Sequence, residues 1–275
     1  MKGEGDLDTT DLTAPTTGAE ARLAELLRQS TAILIASLIT GLLVGGVGAR
    51  IFMLIARLLA PEKRGFITEA EARVGEVTAI GSLFLIFFIG VFAAIAIGVM
   101  IFVSGPWTAW AGTFTGPVVG VLLLVTFNAL VLDPGNFDFA LLGDEVPTVA
   151  MIVMLFMACG IGAVWLRNRI VERLPRHPTL SGRGSGYVPA ALLGVVGFLL
   201  VTVLLLTPDN RADGAMPTIV SFIVLSLVTA VDRVWWVKEG KGSPLPVRFA
   251  GYAALLSLTV FGFAQLATSI DRIVG

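Results

Sequence analysis

The chain has 275 residues, 56% of them apolar and only 14% charged, with a mean hydropathy of +0.89. That balance excludes an ordinary soluble domain, whose exterior needs far more ionised side chains. The net charge is −1, from 19 Lys and Arg against 20 Asp and Glu, so no electrostatic footprint for nucleic acid exists and none is expected as a partner.

Residues 1–17 are acidic, Thr-rich and nearly devoid of large apolar side chains, and read as a disordered tail. In "GAEARLAELLRQ" (18–29), Leu23, Leu26 and Leu27 recur at helical spacing between charges. This predicts a short amphipathic helix, lying on the membrane surface or running straight into the first span. Val47-Gly48-Ala49 has the small residues of a signal cleavage site, but the acidic leader and the apolar run beyond it argue against cleavage.

Residues 30–275 read as an all-α, polytopic transmembrane helix bundle. Seven hydrophobic segments follow, at 31–59, 77–103, 107–132, 147–166, 187–207, 216–236 and 247–270. Each is long enough to cross about 30 Å of hydrocarbon at ~1.5 Å per residue. Pro147, Pro189 and Pro217 stand near helix starts, where a missing N–H costs nothing further. The third segment opens with "SGPWTAWAGTFTGPVVG", rich in Gly, Pro and Trp, so six crossings plus a re-entrant segment is the alternative count. With seven spans, Lys and Arg favour an amino terminus in the cytoplasm of a bacterial-type plasma membrane. The loop after the first span is then the basic one on the wrong side.

That loop follows "GGVGARIFMLIARLLAPEKRG" (45–65), in which Arg50, Arg57 and Arg64 stand seven residues apart. Seven residues fall only ~20° short of two helical turns, so Arg50 and Arg57 share a face. They are candidate contacts for an anion or a lipid headgroup, beside plain snorkelling to phosphates. Opposite them the outer loops form an acidic cluster of Asp133, Asp138, Asp144 and Glu145. Within the spans Asn128 and Gln265 are the polar side chains that cannot satisfy themselves on the preceding turn, and they form a candidate polar pocket or a mutual hydrogen bond.

Small residues four apart prepare close helix contacts: Ser37, Gly41 and Gly45; Gly90, Ala94 and Gly98; Gly116 and Gly120; Ala158 and Gly162; Ala190 and Gly194. The chain offers little catalytic chemistry. Its one cysteine, Cys159, lies mid-span, and its one histidine, His177, stands among arginines. Asp133, Asn136 and Asp138 lack the spacing of a calcium loop, so no metal and no cofactor is expected. "RNRIVERLPRH" (167–177) and "DRVWWVKEGK" (232–241) read as basic anchors at the inner interface. The sequence points first to a non-catalytic membrane scaffold, assembly factor or complex subunit. Its expected partners are membrane lipids and a second copy or another membrane protein. A small permease or channel, and a lipid-directed enzyme using the outer aspartates, are the alternatives.

Overall fold

The computed structural model describes residues 18–59, 79–132, 145–176, 187–207 and 215–274, and these are almost entirely helical. Helix α1 (Gly18–Thr40) runs without a break from the predicted amphipathic segment into the apolar one. It continues through a π-helical turn (Gly41–Gly46) into α2 (Val47–Leu59). There follow α3 (Ala79–Thr108), a 3₁₀ turn (Ala109–Phe114), α4 (Thr115–Val131), α5 (Glu145–Arg173), α6 (Val188–Leu205), α7 (Met216–Glu239) and α8 (Leu245–Val274).

Six helical stretches are long and apolar enough to cross a membrane: Gly18–Ile55, Ala79–Val131, Val146–Arg173, Val188–Leu205, Met216–Glu239 and Leu245–Ile273. Their outward surfaces fit that solvent. On α6 alone Leu192, Leu193, Val195, Val196, Leu199 and Val203 are each more than half exposed, an apolar face that water would not tolerate. Several helices outrun their predicted ends. Helix α5 reaches Arg173 and α7 reaches Glu239, because charged residues end a hydropathy window without ending the hydrogen-bond ladder.

The second stretch bends sharply. Gly112 adopts φ 53°, ψ −118°, a conformation that a residue with a Cβ rarely takes. Neighbouring pairs show what the chain does there. Ser37 lies beside Gly98, and Gly41 beside Ala94, so α3 runs antiparallel to α1. Gly162 meets Thr40 and Arg28 reaches Val171, so α5 is also antiparallel to α1. Gly116 backs onto Ile161 and Gly120 onto Met157, so α4 opposes α5. It follows that α3 and α4 run in opposite directions and that the chain turns back at 109–114. Pro106, which lacks a backbone N–H, is accommodated within the last turn of α3.

The small-residue seams are used within the chain. A Cβ on Gly41 would lie 2.5 Å from Gly90 O and from Ala94 N, so only glycine lets α3 approach where the π-helical turn begins. Gly160 plays the same part against Gly120, where a Cβ would lie 2.5 Å from that residue's Cα. Gly194, by contrast, faces open space. The core between these seams is apolar and closed, with Met100, Leu123, Phe127, Phe222, Leu225 and Leu258 all buried. Trp107 ties three helices together. Its Nε1 donates to Thr229 Oγ1 at 2.7 Å, Thr229 donates on to Val103 O at 2.8 Å, and its ring packs edge-on against Tyr252.

One end of the bundle, here the basal end, gathers the start of α1 with the carboxyl ends of α3, α5 and α7. Arg22 there donates to the carbonyls of Val237 and Lys238, at 2.9 and 2.8 Å. Arg28, only 3% exposed, donates to Val171 O and Leu174 O, at 2.6 and 3.3 Å, and pairs with Glu25 at 2.7 Å. Both cap carbonyls that a helix leaves unpaired, at the negative end of its dipole. The amphipathic start of α1 is therefore a clamp across α5 and α7.

Candidate anion-binding cavity

Two further arginines meet at the basal end without such employment. A cavity of about 300 Å³ opens between α1, α3, α4, α5 and α7. Gln29 and Ile33 line it from α1, Gly105 and Thr108 from α3, Thr115 and Val119 from α4, Val164 and Arg167 from α5, and Arg233 from α7. Helical periodicity turns both arginines inward. Arg167 follows the buried Ala163 and Val164 at i+4 and i+3, while Trp165 faces outward with Arg169 over its ring at 5.8 Å. Arg233 continues the buried stripe of Ser226 and Thr229 at i+7 and i+4.

The Arg233 guanidinium lies beside Gly105, where a Cβ would stand 3.5 Å from Nη2, an ordinary contact. The same guanidinium rests over the Phe102 ring, 5.7 Å from its centroid. The Nε of Arg167 and the Nε of Arg233 are both buried with no hydrogen-bond partner. No carboxylate lines the cavity among the described residues. Asp232, next to Arg233 in sequence, accepts a hydrogen bond from Ser243. The other polar groups are occupied as well. Thr108 Oγ1 donates to Ser104 O, Thr115 Oγ1 to Gly112 O, and Gln29 Nε2 to Glu25 Oε1. The buried donors of the cavity without a partner are thus the Nε groups of the two guanidiniums.

An unmade hydrogen bond to a buried charged group costs more than the ~1–3 kcal/mol of a neutral one. Two like charges sharing a cavity add mutual repulsion. An oxyanion removes both costs, because its several acceptor atoms match the planar fork of each arginine. The cavity's described lining offers two guanidinium groups suited to holding an anion.

The chain matches no protein-family model, no curated protein and no solved structure. The site therefore stands on its geometry.

The residues singled out from the sequence lie elsewhere. Arg50 is in α2, half-buried, and its Nε is also buried and unpartnered. Arg57 belongs to the same helix, with its side chain outside the described residues, as are Arg64, Asp133, Asp138 and Asp144. Glu145 begins α5, and its carboxylate likewise falls outside the description. Asn128 and Gln265 are brought to one level, because Gly262 of α8 backs onto Val125 of α4 and each polar residue lies three positions further on. Both are buried. Asn128 Nδ2 donates to its own helix, to Val125 O at 2.8 Å, and Oδ1 has no partner.

Arg167 and Arg233 were hidden in the two segments read as interface anchors. The signal that distinguishes them is the face, not the charge. Each continues a stripe of small or apolar residues, whereas Arg169, Arg173 and Lys238 lie on exposed faces.

Proposed function

We propose that this chain is a non-catalytic, multi-pass membrane protein whose basal cavity binds an oxyanion, a phosphate or carboxylate group, between Arg167 and Arg233. One observation carries the reading: two inward-facing guanidinium groups from different helices share a cavity with no carboxylate in its described lining. Arg22 and Arg28, at the same end, are by contrast engaged by helix carbonyls and Glu25.

Seven crossings, with the basal end in the cytoplasm, complete the reading. The turn at Gly112 and the opposed directions of α3 and α4 support seven. The orientation is supported by Arg22, Arg28, Arg167, Arg169, Arg173, Arg176, Arg233, Lys238, Lys241 and Arg248, all toward the basal end, against Arg50, Arg57 and Arg272 toward the other. Exposed Trp110 and Trp235 flank the same end, at headgroup depth.

Equilibrium binding of radiolabelled inorganic phosphate to the purified full chain, in a neutral detergent, tests the anion site. Saturable binding that disappears in the Arg167→Met/Arg233→Met double variant is expected. Absent binding, or equal binding by the variant, overturns the proposal.

A further inference from the structure

A second cavity adjoins the first and differs from it in kind. It is a groove of about 360 Å³ between α1, α3, α6 and α7. Its lining is apolar except for Ser30, Ser37 and Ser226, and each of these hydroxyls donates to a carbonyl of its own helix. Along α1 it extends from Leu26 to Ser37, roughly 16 Å at 1.5 Å per residue. That is about half of a ~30 Å hydrocarbon core, the depth of one leaflet. The groove is open on its α6 side. Leu193 and Val195 there are 59% and 57% exposed, and Gly194 between them has no heavy atom within 4 Å of where a Cβ would stand.

The groove and the arginine cavity share a wall. Ile33 lines both. On α7, Ser226 and Ala230 of the groove and Arg233 of the cavity lie on one stripe, at i, i+4 and i+7. Phe102 lines the groove and carries the Arg233 guanidinium over its ring. A slot for a chain thus lies beside two guanidinium groups that make no ion pair, although Asp232 stands near enough to attract Arg233.

We propose that the occupant is a phosphate-bearing anionic membrane lipid, with its phosphate between Arg167 and Arg233 and one acyl chain along the groove. The inference rests on the anion-binding reading of the cavity and names its ligand. A free inorganic anion has no use for a leaflet-deep apolar slot. A neutral apolar molecule has none for two guanidinium groups. Basic pockets between helices at the cytoplasmic face are suited to lipid headgroups, and here the chain site comes with the headgroup site.

Gly194→Phe separates the two halves. Gly194 lines the groove with open space at its Cβ position, on a helix that gains from losing glycine and that contributes nothing to the lining of the arginine cavity. The full chain and its variants are reconstituted in phosphatidylcholine vesicles doped with phosphatidylglycerol carrying a photoactivatable diazirine at mid-chain, and labelled peptides are mapped by mass spectrometry. Radiolabelled inorganic phosphate binding is measured on the same preparations. The wild type is expected to crosslink within 94–102 and 190–198. Gly194→Phe is expected to lose at least tenfold of that labelling while it still binds phosphate, which also shows that it has folded. Arg233→Met is expected to lose both. Unchanged labelling in Gly194→Phe, or wild-type labelling outside these segments, overturns the lipid inference and leaves the anion site standing. Failure of the wild type to bind phosphate removes the anion reading itself, and the lipid inference with it.

Discussion

Replacing Arg233 by methionine keeps an unbranched apolar stem over Phe102 and deletes the guanidinium. A structural arginine would be missed; an arginine waiting for a ligand would not. Burying an arginine at the centre of a membrane helix costs about 2.5–3.5 kcal/mol. Arg233 is half-buried and lies within the last two turns of α7, so about 1 kcal/mol is the share expected here. Relief of repulsion with Arg167 acts in the same direction, while the lost attraction to Asp232 and to the Phe102 ring acts against it and trims the gain. A gain of up to that size raises the midpoint of unfolding by at most roughly 2–4 °C for a chain of this length. Phosphate reverses the order. At 100 times its dissociation constant a ligand stabilises by about 2.7 kcal/mol, and the variant should receive almost none of this. Thermal unfolding followed by the fluorescence of the five tryptophans reads both effects, in neutral detergent with gluconate as the added anion and then with phosphate. The variant is expected to melt above the wild type in gluconate and below it in phosphate. A variant that melts lower in both, with an undiminished response to phosphate, would refute the reasoning.

Arg28 should behave in the opposite way. Arg28→Ala strips two carbonyl caps and an ion pair from a site that is 3% exposed, and a loss of about 2–3 kcal/mol is expected in the same unfolding assay. Arg28→Lys should recover less than half of it, since an ammonium cannot grip both oxygens of Glu25 while reaching Val171 and Leu174. Gly160→Ala should lower the midpoint by several degrees because its methyl group meets the Gly120 backbone, whereas Gly194→Ala should leave it unchanged or raise it slightly, by up to ~1 kcal/mol of helix propensity. For the crossing number, a single cysteine at Gly65 or Ala72 in a Cys159→Ala background should react with an impermeant maleimide in intact cells. Labelling only after lysis would contradict seven crossings.

Much of the fold was legible because long apolar helices announce themselves in hydropathy. Charge-free runs of the right length mark helices whatever their partners, and the spacing of Gly41, Gly90, Gly116 and Gly120 marked the faces that touch. The turn at Gly112 was legible only as a weak spot, since Gly and Pro announce a break without stating its direction. The cavity was not legible. Arg167 stands within "RNRIVERLPRH", where hydropathy sees a charged end and treats each residue alike. Its role depends on which residues of α1, α3, α4 and α7 face it, and that is fixed by contacts between segments far apart in sequence. Arg50 drew attention through its isolation in an apolar run, and it does carry a buried, unpartnered Nε. Isolation in sequence and convergence in space are different properties, and only the second makes a cavity.

The most direct test reads individual guanidinium groups. Phenylglyoxal modification of the purified chain, with and without phosphate, can be mapped arginine by arginine by peptide mass spectrometry. Phosphate is expected to protect Arg167 and Arg233 and to leave the exposed Arg169 and Arg248 as reactive as before. Equal reactivity of Arg167 and Arg233 with and without phosphate would contradict an anion site between them.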